Sequence, residues 1–247
     1  MATTTTTAGI LLILALTCAE MIMTAPTNNI TDDKMIESCC DLQLDPTKPS
    51  GVYFINNYFQ NGSLEVAAYC SEGGWLVAQR RQDGSVDFNR TWSEYENGFG
   101  SLGGEFWLGL KALHLLTATS DYEMMIDVES RDGEIMSFHY KTFKVGSAED
   151  MYKLHVGQYQ GIGTDPMAYE NGMGFTTKDV DNDGIKYYNC AQHGSQHPAG
   201  GWWYNRCWHI NPNLVIPGSS HGLYYDRKWY EMTFVELKVK LLDCISH

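Results

Sequence analysis

Six cysteines constrain this chain more than any other feature: Cys39, Cys40, Cys70, Cys190, Cys207 and Cys244, with a seventh, Cys18, inside an N-terminal apolar run. No CxxC pair is matched by a second pair or by histidines at zinc spacing, so a zinc ribbon is excluded and disulfides in an oxidising compartment are the default. Six cysteines allow fifteen pairings, and the residues alone do not choose among them. Closing loops of about 18 to 31 residues would contribute roughly 3 to 4 kcal/mol each in the loop-entropy model.

The N-terminus points to the same compartment. Residues 8–19 (AGILLILALTCA) form an apolar run of signal-peptide length ending in small residues, so residues 1–19 read as a leader, with cleavage after Ala19 or as late as Ala25. Its first residues lack the usual Lys or Arg. The run is too short to span a bilayer and nothing later approaches the roughly 20 apolar residues needed, so a secreted, extracellular protein with no membrane span is expected. Sequons at Asn29, Asn61 and Asn89 fit that route. With 17 Lys plus Arg against 30 Asp plus Glu, the net charge is −13 and no basic run interrupts the acidity. Nucleic acid is excluded as a partner, because binding it rests on neutralising phosphates. A carboxylate-rich surface suits metal cations, basic proteins and neutral sugars.

Residues 20–38 are polar and read as a short tail, and residues 39–247 show no linker or composition break, which predicts one domain. Residues 52–55, 64–69, 75–79 and 122–128 are apolar or β-branched runs bounded by turn residues, and 135–140 faces the last of them across Ser130-Arg131-Asp132-Gly133, a hairpin signal. Along 75–80, Trp75, Val77 and Gln79 alternate with Leu76, Ala78 and Arg80, as in a strand with two different faces. Ser93 with Glu96 reads as a capping box opening a short helix that Gly98 ends, and 106–116 has helical spacing. Trp92, Tyr95, Phe99, Phe106 and Trp107 read as core. Residues 161–222 differ: dense in Gly, Asn, Asp, His and aromatics, without periodicity, they form the kind of long irregular stretch that holds a functional site. The fold class expected is α+β, with a central twisted antiparallel sheet, short helices and a loop-rich C-terminal part.

An ordered series of motifs carries a resemblance. Cys40-Asp41, Ser50-Gly51-Val52-Tyr53, Tyr69-Cys70 and Gly73-Gly74-Trp75-Leu76-Val77-Ala78-Gln79-Arg80-Arg81-Gln82-Asp83-Gly84 resemble the opening of a fibrinogen-related domain. Phe88-Asn89-Arg90-Thr91-Trp92, Gly98-Phe99-Gly100 and Gly104-Glu105-Phe106-Trp107-Leu108-Gly109-Leu110 are similar to the family's central signature. Phe175-Thr176-Thr177-Lys178-Asp179-Val180-Asp181-Asn182-Asp183, Asn189-Cys190, Trp202-Trp203-Tyr204-Asn205-Arg206-Cys207 and Asn211-Pro212-Asn213 resemble its C-terminal part. Within the family, the short tail and the lack of a collagen stalk look most like the microfibril-associated glycoproteins and unlike ficolins. The resemblance implies pairs Cys40–Cys70 and Cys190–Cys207. Cys39 and Cys244 remain for each other or for a neighbouring chain, and the place of Cys39 at the end of the tail favours an interchain bond and a homo-oligomer.

In the Asp179-Val180-Asp181-Asn182-Asp183-Gly184 loop, alternating carboxylates converge hard oxygens on one point, which suits Ca2+. An EF-hand is excluded, since its twelfth position would be Cys190 rather than Glu. The resemblance implies a fibrinogen-type calcium site with the side chains of Asp181 and Asp183 and the carbonyls of Ile185 and Tyr187. It also implies an acetyl-group pocket beside Cys190–Cys207, with a cis peptide between Arg206 and Cys207 turning the following N–H groups toward a ligand. Trp208 stands where the family usually has His, with His209 one step later, and the loop after Asn213 is shorter, so Tyr224 and Tyr225 are expected to supply the missing walls. The resemblance therefore implies calcium-dependent, lectin-like recognition of acetylated carbohydrate, of the kind used in innate immunity. The alternative is a matrix glycoprotein that binds elastic-fibre proteins and cell surfaces.

Two enzyme-like motifs read otherwise. Gly218-Ser219-Ser220-His221-Gly222 fits G-x-S-x-G but lacks the strand and helix of a nucleophile elbow. His193 and His197 lie four apart among Gly, Ser and Pro, where a helix to align them on a metal is disfavoured. No enzyme is expected.

Overall fold

The computed structural model describes residues 35–59, 62–192, 199–214 and 222–244. Strands β1 (Met35–Ile36), β2 (Gly51–Phe59), β3 (Gly62–Ser71), β4 (Trp75–Arg81), β5 (Phe99–Gly100), β6 (Phe106–Trp107), β7 (Tyr122–Ser130), β8 (Ile135–Val145), β9 (Leu154–Tyr159), β10 (Leu223–Tyr225), β11 (Lys228–Tyr230) and β12 (Met232–Leu241) are joined by helices α1 (Asp41–Leu44), α2 (Trp92–Asn97) and α3 (Leu110–Thr119). The main sheet runs β1-β2-β3-β4-β12-β7-β8-β9, with β6 bridging β4 to β5, while β10 and β11 form a separate hairpin. β1 lies parallel to β2, pairing Met35 with Phe54 and Ile36 with Ile55. The sheet thus takes in the end of the segment read as a polar tail, because Ile36 is buried against it.

β12 is inserted antiparallel between β4 and β7, so the last strand of the sequence becomes the centre of the sheet. β4 is buried along its whole length rather than alternating. Both of its faces are covered, one by the main core and the other by a small cluster of Val77, Leu102 and Phe106 with Tyr69 packed beside it. Its buried polar residues have partners, although Gln79 Oε1 has none among the described residues. Arg80 lies over the Tyr69 ring and meets Glu236 at 2.7 Å. Gln79 donates to the Pro212 carbonyl and to Asn213 Oδ1, which ties the sheet to the C-terminal part. Arg81 meets Glu105 at 3.1 Å, and Glu105 also accepts the N–H groups of Gln82, Asp83, Gly84 and Val86.

The expected capping box is shifted. Thr91, not Ser93, caps α2, reciprocally with Glu94, and Gly98 ends the helix at φ 89°. A Cβ on Gly98 would lie 2.5 Å from the Leu108 carbonyl oxygen. The helix expected at 106–116 begins only at Leu110, because Phe106 and Trp107 are claimed by β4 and β5 as an extended pair. α3 buries Leu110, Leu113 and Thr117, and the Thr117 hydroxyl accepts the Val145 N–H to seat the helix on β8.

The described residues between 160 and 222 contain no strand of the main sheet, yet Phe175, Trp202, Trp203 and Tyr204 are fully buried. Phe175 lies 5.2 Å from Tyr95 and 5.7 Å from Trp107, so this irregular lobe shares an aromatic core with α2 and β6. Large aromatic side chains bury enough area to hold such a lobe without a ladder. Tyr95, Phe106 and Trp107 are core as expected, whereas Trp92 and Phe99 are half-buried at its edge.

The disulfides correct the expected pairing. Cys39, not Cys40, bonds Cys70, and Cys40 bonds Cys244, so Cys39 and Cys244 are both used within the chain and not between chains. Adjacent residues at the start of α1 point differently, one toward β3 and the other toward the end of β12. Cys190 bonds Cys207. Loop separations of 31, 204 and 17 residues correspond to about 4, 5 and 3 kcal/mol in the chain-entropy account.

Candidate functional site

Two neighbouring parts of the irregular lobe carry the chemistry. The first is the aspartate loop. Asn182 donates its side-chain amide to the Phe175 carbonyl, and Gly184 donates its N–H to the Asn205 carbonyl at 2.8 Å. Glycine is required at 184 because a Cβ there would meet Asn205 Oδ1 at 2.5 Å. Held in this way, the loop turns on its own carboxylates: Asp181 accepts the Asp183 N–H, and Asp183 accepts the N–H groups of Ile185 and Cys190. Burial pushes the Asp183 carboxyl up, and the nearby Asp181 charge adds to it against the two N–H donors. Asp179 does not join them. It accepts the Trp92 N–H and the Thr177 hydroxyl, anchoring the lobe to the start of α2.

This donor set suits a hard cation. Two carboxylates are held together at an energetic cost, and Ile185 and Tyr187 lie just downstream, Tyr187 88% exposed. No group of three or more His, Cys, Asp or Glu side chains of metal-holding geometry occurs among the described residues. A cation here would therefore rest on two carboxylates, backbone carbonyls and water.

The second part is the segment after Cys207. Among the described residues no peptide bond is cis, so the expected cis bond between Arg206 and Cys207 is replaced by a trans one, and the turn is made by Cys207 at φ 58°. That left-handed conformation costs about 1 to 2 kcal/mol for a side-chain-bearing residue, and the disulfide and the Asn205–Cys207 bridge hold it. The following N–H groups point inward. Cys207 donates to Cys190 Sγ, while His209 and Ile210 donate to Glu170 Oε1 at 2.6 and 3.4 Å. Glu170 is fully buried, its Oε2 has no partner among the described residues, and burial pushes its carboxyl up to about 8.

The expected walls separate. Trp208 tilts against Tyr204, 5.7 Å away, and Arg206 is exposed. Tyr224 and Tyr225 are successive residues of β10 and face opposite ways. Tyr225 packs on Phe138 and donates to the Ile162 carbonyl, so it does not bound a common seat with Tyr224. Tyr224 instead joins a row of rings. Tyr169 stacks on His209 at 4.5 Å, His209 lies 5.7 Å from Tyr224, and Tyr224 lies 5.1 Å from Trp229. Trp229 is 39% exposed, while Tyr169, His209 and Tyr224 are half-buried, so the row forms an open aromatic ledge.

Residues 35–241 match the family described as fibrinogen beta and gamma chains, C-terminal globular domain. The chain belongs to this family. It is 37% identical over 215 residues to fibrinogen-like protein A of Apostichopus parvimensis, covering 85% of this chain and 70% of that protein. It is 38% identical to tenascin-R of Homo sapiens, covering 83% of this chain but 15% of that protein. The fibrinogen-like globe domain of human ANGPTL6 superposes with a TM-score of 0.74 at 33% identity, covering 90% of this chain and all of that one. Lamprey fibrin D-dimer, complexed with the peptide Gly-His-Arg-Pro-amide, superposes at 0.71 with 28% identity, covering 90% and 78%. The α+β class is therefore that of the fibrinogen-like globe.

Within that globe, Tyr169, Glu170 and Trp229 were not singled out from the sequence. Tyr169 and Glu170 carry no motif, and Trp229 lies beyond the last motif at Asn211-Pro212-Asn213. His193, His197, Ser219, Ser220 and His221 lie outside the described residues, as do the leader, Asn29 and Asn61. Asn89 is described and half-buried, with its carbonyl accepting Lys178 Nζ. Among the described residues no helix is long and apolar enough to cross a membrane.

Proposed function

We propose that this fibrinogen-related domain is a secreted, non-enzymatic recognition protein that takes a neutral sugar, N-acetylated sugars included, on the Tyr169–His209–Tyr224–Trp229 ledge, with Ca2+ bracing the neighbouring aspartate loop. The observation that carries it is the ring series itself. Sugars present apolar C–H faces that pack on aromatic rings while their hydroxyls stay wet, and such rings recur in small-ligand sites with few polar groups. Ca2+ at Asp181 and Asp183 would neutralise the carboxylates and stiffen the loop, whose Gly184 is hydrogen-bonded to Asn205, two residues before Cys207. Single sites of this kind are weak, and a homo-oligomer would gain affinity by multivalency. A glycan array with and without Ca2+, beside immobilised elastic-fibre proteins, tests the reading. Binding to N-acetylated sugars that Trp229→Ala and His209→Ala weaken without unfolding supports it, and binding indifferent to both substitutions sinks it.

One observation favours a second reading, that of a matrix glycoprotein. The His209 and Ile210 N–H groups that an acetyl carbonyl would need are engaged by Glu170. The likeness to tenascin-R and the net charge of −13 fit a protein partner with a basic surface. Binding to elastic-fibre proteins that salt weakens, with an empty glycan array, would establish it.

A further inference from the structure

Glu170 lies in a turn where its own N–H donates to the Met167 carbonyl, and its side chain is fully buried. A single oxygen, Oε1, reaches across 39 residues of sequence to the His209 N–H and across 40 to that of Ile210. The preceding residue, Tyr169, carries the ring on which His209 stacks, and Tyr169's carbonyl accepts the Asn205 side-chain amide. One turn thus supports the ledge twice, from outside by a ring and from inside by a carboxyl. Among the described residues Oε2 finds no partner, so the carboxyl is held through Oε1.

We propose that Glu170 is a positioning residue that makes the ledge pH-sensitive: the carboxylate grips the His209 and Ile210 N–H groups, and the protonated acid lets that segment loosen. Hydrogen bonds to an ionised acceptor are roughly twice as strong as those to a neutral one, so protonation weakens the hold without removing it. Burial raises the carboxyl to about 8, opposed by the two N–H donors and aided by the charge of Asp165. The titratable groups around it are Asp165, whose Oδ1 accepts the Tyr140 hydroxyl, Tyr169, and His209. Burial holds the His209 imidazole below its ordinary value, so its protonation falls on the acid side of the Glu170 transition.

The consequence for ligand rests on the sugar-ledge reading, but the anchor itself is tested without ligand. Amide 1H–15N shifts of His209 and Ile210, followed from pH 6 to 9.5 in the whole chain, should move with a common midpoint near 8. They should be flat in Glu170→Gln, and the midpoint should fall in Asp165→Asn, where a charge that favours the protonated form is gone. Shifts that do not titrate in the unaltered protein overturn the proposal even if Glu170→Gln fails to fold, as does an unchanged titration in a folded Glu170→Gln. With free N-acetylglucosamine as probe, affinity should rise with pH across the same midpoint. Titrating amides with no N-acetylglucosamine binding at any pH would uphold the anchor and sink the sugar reading. Binding that is constant across a clear amide titration would overturn the coupling.

Discussion

Replacing Glu105 with Gln tests how the sheet and the irregular lobe are held together. Glu105 is 1% exposed. It accepts three N–H groups at Oε1 and one at Oε2, and it faces the buried Arg81, whose Nη1 donates to the Asn213 carbonyl. Glu105→Gln keeps the shape but turns one acceptor into a donor and removes the carboxylate charge that faces Arg81. Breaking a buried pair from one side costs about 3 to 5 kcal/mol, and a buried N–H facing a donor adds about 1 to 3 more where it cannot turn away. A net loss of about 4 kcal/mol is expected, much of the roughly 5 to 15 that holds a domain, with Tm falling by roughly 8 to 16 °C. Urea unfolding with disulfides intact reads it as a lower midpoint at unchanged slope. The pH dependence has a definite sign. Burial would raise the Glu105 carboxyl, but the N–H donors and Arg81 outweigh it and hold the group below the usual carboxylate range. Between the folded and unfolded values the unfolded chain binds more protons, so this stability is present above the unfolded value and lost as pH falls through the folded one. The variant and the original should therefore converge in acid. A loss under about 1 kcal/mol at pH 7, or a gap that persists in acid, would refute the reasoning.

Three further outcomes follow from the geometry. Asp181→Ala with Asp183→Ala should abolish Ca2+-dependent thermal stabilisation, a linkage effect of about 2.7 kcal/mol at ligand a hundredfold above its dissociation constant; an unchanged Ca2+ shift would remove the cation from this loop. Peptide mapping should recover Cys39–Cys70 and Cys40–Cys244, non-reducing electrophoresis should show no dimer linked through Cys39 or Cys244, and Cys40→Ser with Cys244→Ser should cost about 5 kcal/mol. In the β10–β11 hairpin, Asp226 and Arg227 stand at φ 47° and 68° between the paired Tyr225 and Lys228, so Arg227→Gly should stabilise by about 1 kcal/mol, read as a rise in Tm, while Asp226 is kept for its bonds to Thr164.

The strands expected at 52–55, 64–69, 75–79, 122–128 and 135–140 all lie within observed ones because alternation and β-branching are local signals. β12 carried an equally clear alternation, with Val235, Leu237 and Val239 buried, but its central place in the sheet is topological and no local pattern states it. The capping box illustrates a different limit. Thr91 with Glu94 and Ser93 with Glu96 have the same spacing, and the choice falls to tertiary contact, since Asp179 reaches from the far lobe to the Trp92 N–H. Cys39 and Cys40 differ by one position, which sequence spacing does not resolve and direction at the start of α1 does.

The site follows the same logic at longer range. Residues 161–222 stand out in the sequence because a stretch without period must be held by side chains, and the alternating carboxylates of Asp179, Asp181 and Asp183 stand out because their chemistry is local. What the ledge presents does not, since it depends on which way a donor points. A His209 N–H turned outward would meet a ligand, whereas turned inward it meets Glu170, a residue whose neighbours in sequence give no sign of the contact. Tyr224 and Tyr225 make the point from the other side: once β10 is a strand, alternation forces them apart. Trp229, across the hairpin, becomes Tyr224's partner through the register set by a turn at Asp226 and Arg227. The ledge is therefore a property of that turn as much as of its rings. A substitution that shifts the hairpin by one residue would rotate Trp229 away from Tyr224 while leaving the main sheet intact.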